Sequence, residues 1–178
     1  MMDAAHRRGD GTLTAEYALQ ALESLAEFDR LAPTNDEVVY IRVEAQRYLT
    51  LARSRDGHAE GAREVEQAMT TLEQAFDAKI DCVKLRMLHL DLLKSLKLTG
   101  SKAMSRVKES VDRLIELPAG YDPWVLIRAG LEYHGIAEHG LAVDALEPAK
   151  KALAITGRPL PQDTGLALVD STQAKDQQ

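Results

Sequence analysis

The side chains with the most chemical potential gather around one short stretch. His134 and His139 bracket Gly135-Ile136-Ala137-Glu138, with Glu132 and Glu138 beside them. By type, two imidazoles and two carboxylates are a zinc-ligand set. The spacing argues against it, because residues five apart across a glycine-containing turn do not share a helical face. Glu60, Glu64 and Glu66 bring carboxylates close in sequence, as an acid–base pair would need, but on a helix such a cluster reads as a solvated face. Cys82 is the only cysteine, which excludes an intrachain disulfide and any cysteine-based metal cluster. Its apolar helical neighbours predict a buried, inert thiol. The chain has no glycine-rich phosphate loop, no Gly-x-Ser-x-Gly and no His-Glu-x-x-His. These patterns predict no catalytic residue, no metal and no cofactor. Trp124, the only tryptophan, has recognition as its chemistry, since tryptophan is over-represented in binding hot spots; its bland alternative is core or inter-repeat packing.

The elements that position these residues are helices. Leu126, Ala129, Gly130 and Tyr133 lie at i, i+3, i+4 and i+7, one face of a helix. Gly130 costs about 1 kcal/mol of helix propensity against alanine, which makes sense where another helix comes close. Ala142, Leu146 and Ala149 repeat the small–large–small pattern in a second arm. Asp122-Pro123 caps and starts the first arm, Gly135 and Gly140 mark a tight turn, and Pro148 predicts a kink in the second arm.

The same spacing recurs upstream. A helix from Thr12 or Thr14 to about Leu31 presents Ala18, Leu22 and Leu25, with Pro33 after it. Asn35 or Asp36 starts a helix to about Ser54 with Ile41, Ala45 and Tyr48 on one face. Gly57 and Gly61 bracket a turn into a partner helix, about Glu60 to Asp77, with Val65, Met69, Leu72 and Phe76 inward. The helix from about Ile80 to Leu98 has two apolar stripes (Val83, Met87, Leu90 and Leu85, Leu88, Leu92, Leu96), predicting burial on two sides. Thr99-Gly100-Ser101 turns into a helix ending near Pro118, with Met104, Val107, Val111 and Leu114 inward. No strand pattern appears. Residues 1–11 read as a disordered leader, 12–156 as the helical domain, and 157–178, with Pro159, Pro161, Gly165 and a polar end, as a disordered tail.

From Leu126 to Ala149 the spacing of small and aromatic positions resembles one tetratricopeptide repeat, with Leu126 where that family usually has Trp and Ala154 where it has its closing Pro. The resemblance implies an all-α solenoid of about seven antiparallel helices whose first arms line a concave groove for a peptide or partner helix. By the family's pattern the groove positions are Trp124, Ile127, Leu131 and His134 in one hairpin and Val39, Arg42, Gln46 and Leu49 in another. Cys82 to Pro161 is also similar to part of a meiotic tetratricopeptide scaffold family that promotes crossovers. The shared order runs Cys82-x2-Leu85-Arg86, then Leu117-x3-Tyr121-Asp122-Pro123, then Leu141-Ala142-Val143-Asp144-Ala145-Leu146, then Thr156 to Pro161. That likeness implies a non-catalytic, chromosome-associated nuclear scaffold linking recombination factors to the synaptonemal-complex machinery. It also implies that this chain is part of a longer solenoid, because members of that family are much longer. The alternative is a cytoplasmic adaptor or co-chaperone.

Composition sets the remaining bounds. In 178 residues aromatics make up only 4%, as in helices packed by aliphatic side chains. A net charge of −6 argues against a general nucleic-acid binder. No run of about 18 apolar residues exists and the N-terminus lacks an apolar signal core, so the expectation is an intracellular protein with no membrane partner. Charge is uneven: residues 10–78 hold 14 acidic and 6 basic side chains, and residues 79–118 hold 5 and 9.

Overall fold

The computed structural model describes residues 1–31, 35–55, 61–95, 101–118, 120 and 122–177. Pro33, Gly57, Glu60, Leu96, Leu98, Thr99, Gly100 and Tyr121, to which the sequence assigned breaks, turns, helix ends or motif positions, lie outside them. The described residues form nine helices and no strand. They divide into two compact units, Met1–Leu98 and Thr99–Gln178.

The N-terminal unit holds α1 (Met2–Arg7), α2 (Gly11–Leu31), α3 (Asp36–Arg55), α4 (Gly61–Asp77) and α5 (Val83–Ser95). The predicted leader is therefore helical over Met2–Arg7, with Ala5 fully buried. Asp10 takes the capping role given to Thr12 or Thr14: its carboxylate accepts from the backbone N–H of Leu13 at 2.9 Å. Asn35 does the same for α3, accepting from Glu37 N–H at 2.8 Å. α2 and α3 pack through Ala18, Ala45, Tyr48 and Leu49. Small residues on both sides let the helix axes approach. Val65, Met69 and Leu72 are buried on α4, as their spacing predicts. Phe76 is half-buried, with the Arg86 guanidinium 3.6 Å from its ring centroid and His89 edge-on at 5.5 Å. Both stripes of α5 are covered, with Leu85, Leu88, Leu90 and Leu92 buried and Val83 and Met87 half-buried. Cys82 is half-buried just before α5, rather than enclosed in its core.

The C-terminal unit holds α6 (Ser101–Glu116), α7 (Pro123–Gly135), α8 (His139–Ile155) and α9 (Gln162–Lys175). On α6, Val111 and Leu114 are fully buried and Val107 is half-buried, while Met104, expected inward, is half exposed. Asp122 caps α7 by accepting from Trp124 N–H at 2.8 Å, with Pro123 at the first helical position. The α7–α8 hairpin nests as its small residues demand: a Cβ added at Gly130 would overlap the fully buried Leu146 side chain. The turn between these helices uses neither Gly135 nor Gly140 as its special residue. Ala137 takes the left-handed conformation, φ 62°, and Glu138 N–H closes back onto Tyr133 O at 2.9 Å. Lys79, φ 61°, ends α4 in the same way, with Ile80 N–H on Ala75 O at 2.8 Å. α8 runs through Pro148 to Ile155 as one helix.

The predicted disordered tail is also corrected. Gly157, φ 70°, closes α8, and Gln162–Lys175 forms a further helix packed on α7 and α8. Thr164, Ala167, Leu168 and Ser171 make its buried face. α1 and α9 are the two helices beyond the expected seven.

Candidate binding surfaces

The eight residues assigned to a groove behave differently in the two units. In α7, Ile127 is buried and packs with Leu126, Ala149 and Leu153, and Leu160 closes over that cluster. Leu131 is half-buried against both the Leu126–Ile127–Ala149–Leu153 and the Leu146–Ala167–Leu168 clusters. His134 points its Nδ1 at the Ser171 hydroxyl, 2.9 Å away on α9. The chain's own segment 160–171 thus occupies the α7 face expected to receive a partner. Trp124 escapes it and stays 50% exposed.

His139 also meets Ser171, Nδ1 to Oγ at 3.4 Å, and the two imidazoles stand edge to face at 5.7 Å. The sequence reading kept them apart because they share no helical face. The turn at Ala137 folds them onto one hydroxyl instead. A serine hydroxyl has one proton to donate and two lone pairs, so the pair is satisfied with one ring accepting and the other donating. Ser171 has no solvent exposure, which makes the cluster a clamp on α9. Among the described residues, no group of three or more His, Cys, Asp or Glu side chains is placed to hold a metal ion.

In α3 the aligned face is only partly covered. Val39 and Leu49 are buried, Leu49 in the α2–α3 seam, so neither lines a groove. Arg42 and Gln46 are half-buried. Gln46 lines an open cleft of about 570 Å³ with Arg63, Glu66, Gln67, Thr70 and Thr71 of α4. Every lining side chain is polar. Gln46 Oε1 is itself buried and accepts no hydrogen bond from the described residues, which costs about 1–3 kcal/mol. The hydroxyls of Thr70 and Thr71 give their protons to Glu66 O and Gln67 O of their own helix, at 2.8 and 2.9 Å. Their oxygens are left as acceptors.

Sequence spacing found Gln46 but not its neighbours on α4. The α4 residues sit on the polar side of an amphipathic helix, where nothing in the pattern separates a cleft wall from ordinary solvated surface. One edge of this unit is set by charge: Lys84 of α5 hydrogen-bonds Glu37 of α3, which raises its pKa, and its ammonium lies 4.3 Å from the centroid of the Tyr40 ring. Among the described residues no helix is long and apolar enough to cross a membrane.

Compared with family models, curated proteins and solved structures, the chain matches none. Its function is therefore argued from the all-helical fold and these surfaces.

Proposed function

We propose that this protein is a non-catalytic scaffold that binds another protein across the polar cleft of its α3–α4 hairpin. The observation that carries this is the contrast between equivalent faces: the α7 face is filled by α9, whereas the polar cleft at Gln46 is open. A solenoid of tetratricopeptide-like hairpins is the architecture that fits such a role, since stacked pairs present their first helices on one side. The likeness of Cys82 to Pro161 to the meiotic scaffold family supplies the kind of partner, recombination or synaptonemal-complex factors, and a chromosome-associated, nuclear location.

Site-specific photo-crosslinking tests this. A photoreactive phenylalanine analogue at Arg42 or Trp124 should trap the same protein partner from meiotic cells, while one at buried Leu72 traps nothing. Trapping of heat-shock proteins alone would reassign the chain as a cytoplasmic co-chaperone. An absence of protein adducts at both positions would reject the scaffold reading. Because Trp124 is half exposed, Trp124→Ala should leave stability within about 0.5 kcal/mol of the parent, as surface substitutions usually do. Loss of the fold in that variant would make Trp124 a packing residue.

A further inference from the structure

We infer that α9 is a cover released by protons: charging the imidazoles of both His134 and His139 undoes its hold on the α7–α8 hairpin. Both rings turn Nδ1 to the Ser171 hydroxyl of α9, at 2.9 and 3.4 Å, and their centroids stand 5.7 Å apart. Ser171 has no exposed surface, and both rings are half-buried. While the rings are neutral, the hydroxyl donates to one Nδ1 and accepts from the other. A first proton turns the accepting Nδ1 into a donor. The serine oxygen has two lone pairs and takes both N–H groups. Its own proton then goes to the carbonyl four residues back, as the Thr172 proton goes to Leu168 O at 2.8 Å. The second proton has no such outlet. It sets two cations 5.7 Å apart in a place partly closed to water, where screening is weak. With α9 lifted away, the rings are free to rotate apart and hydrate. The released state therefore binds more protons than the docked state, and acid favours release.

The helix ends add to the effect. His134 lies in the last turn of α7, where the dipole favours a cation, but His139 opens α8, where it opposes one. The surrounding charges are largely spent on one another. On α7, Glu132 takes Arg128 at 2.6 Å, and Asp112 of α6 takes the Tyr133 phenol at 2.6 Å. Asp144 of α8 takes Lys175 of α9 at 3.2 Å, and Asp170 of α9 is exposed to solvent. Glu138, beside His139 in the turn, is the carboxylate that works against release by favouring a charged ring. Release uncovers Leu131, which packs on the cluster of Leu146, Ala167 and Leu168.

NMR on the full chain tests this from about pH 7.5 to about pH 5, the range in which imidazoles change charge. The imidazole Cε1–H resonances report charging of each ring. Amide exchange, corrected for its intrinsic pH dependence, reports opening of α9. Protection over Gln162–Lys175 should fall about tenfold across that range, the effect of one extra proton over about one pH unit. His139→Gln keeps a polar side chain that cannot charge, so α9 should stay protected throughout. Glu138→Gln should move the loss of protection to higher pH. Both rings charged with α9 still protected would overturn the inference. So would an equal loss of protection in His139→Gln, which would place the acid response on other groups. If that variant does not fold, His134→Gln makes the same comparison.

Discussion

Tyr48 and Tyr133 hold matching places in α3 and α7, and each phenol donates to an aspartate on an earlier helix. Tyr48 reaches Asp3 of α1 at 3.0 Å and Tyr133 reaches Asp112 of α6 at 2.6 Å. Burial first, and then the carboxylate accepting its proton, push the Tyr48 phenol up from 10.0 to about 12; the same two causes raise Tyr133. A phenol whose pKa is raised in the folded state stabilises the fold fully below its unfolded pKa. That contribution is lost as pH climbs through the folded value. The docking of α1 should therefore hold up to about pH 10 and fail between there and about 12. Phenolate absorbance followed against pH should show one tyrosine ionising near the upper end of that window, absent in Tyr48→Phe. If the two chains titrate identically, Tyr48 does not hold α1. The tyrosines were legible from their helical spacing. Their partners were not, because residues 45 and 21 positions away meet only once helices have packed.

The pairing of α7 with α8 turns on a single missing methyl group. Alanine at position 130 would gain about 1 kcal/mol of helix propensity. Its Cβ would also overlap a Leu146 side chain that is fully buried and has little room to retreat, and overpacking of this kind costs about 1–3 kcal/mol. The second effect wins, so Gly130→Ala should destabilise by about 1 kcal/mol. Adding Leu146→Val should recover part of it, a non-additivity visible in a double-mutant cycle of urea melts. A stabilised Gly130→Ala would mean the helices are not in close contact there. This pair was readable from sequence because a glycine inside an otherwise good helix needs a reason. Helix ends were less readable. The αL positions at Lys79 and Ala137 carry side chains that rarely adopt that conformation, so glycine spacing points to Gly135 and Gly140 instead. Likewise Asp10 caps α2 in place of the threonines that follow it, one of which, Thr14, is buried.

For the molecule as a whole, the largest departure from the sequence is α9, and it decides which face is open to a partner. Pro159, Pro161 and Gly165 are helix breakers by type, and they hid it. In place, Pro159 and Pro161 precede the helix, with Pro161 as its cap residue, and Gly165 sits in its first turns, where proline ahead of a helix does no damage. The helix has weak amphipathic contrast because it buries small residues and leaves Leu166 and Val169 half exposed. Burial of Leu168 alone contributes about 1.5–3 kcal/mol. With Ala167, Leu160 and the Ser171 bonds added, removal of residues 157–178 should cost the C-terminal unit on the order of 4 kcal/mol. Amide hydrogen exchange in α6, α7 and α8 should accelerate accordingly, and Leu131 should become exposed. The truncation also separates two views of how the proposed scaffold would meet a partner. If α7 and α8 exchange as slowly without the segment as with it, α9 is a removable cover, and the α7 face is a second groove awaiting a partner. If they loosen, the segment is part of the core, and the proposed recognition is confined to surfaces other than the α7 face.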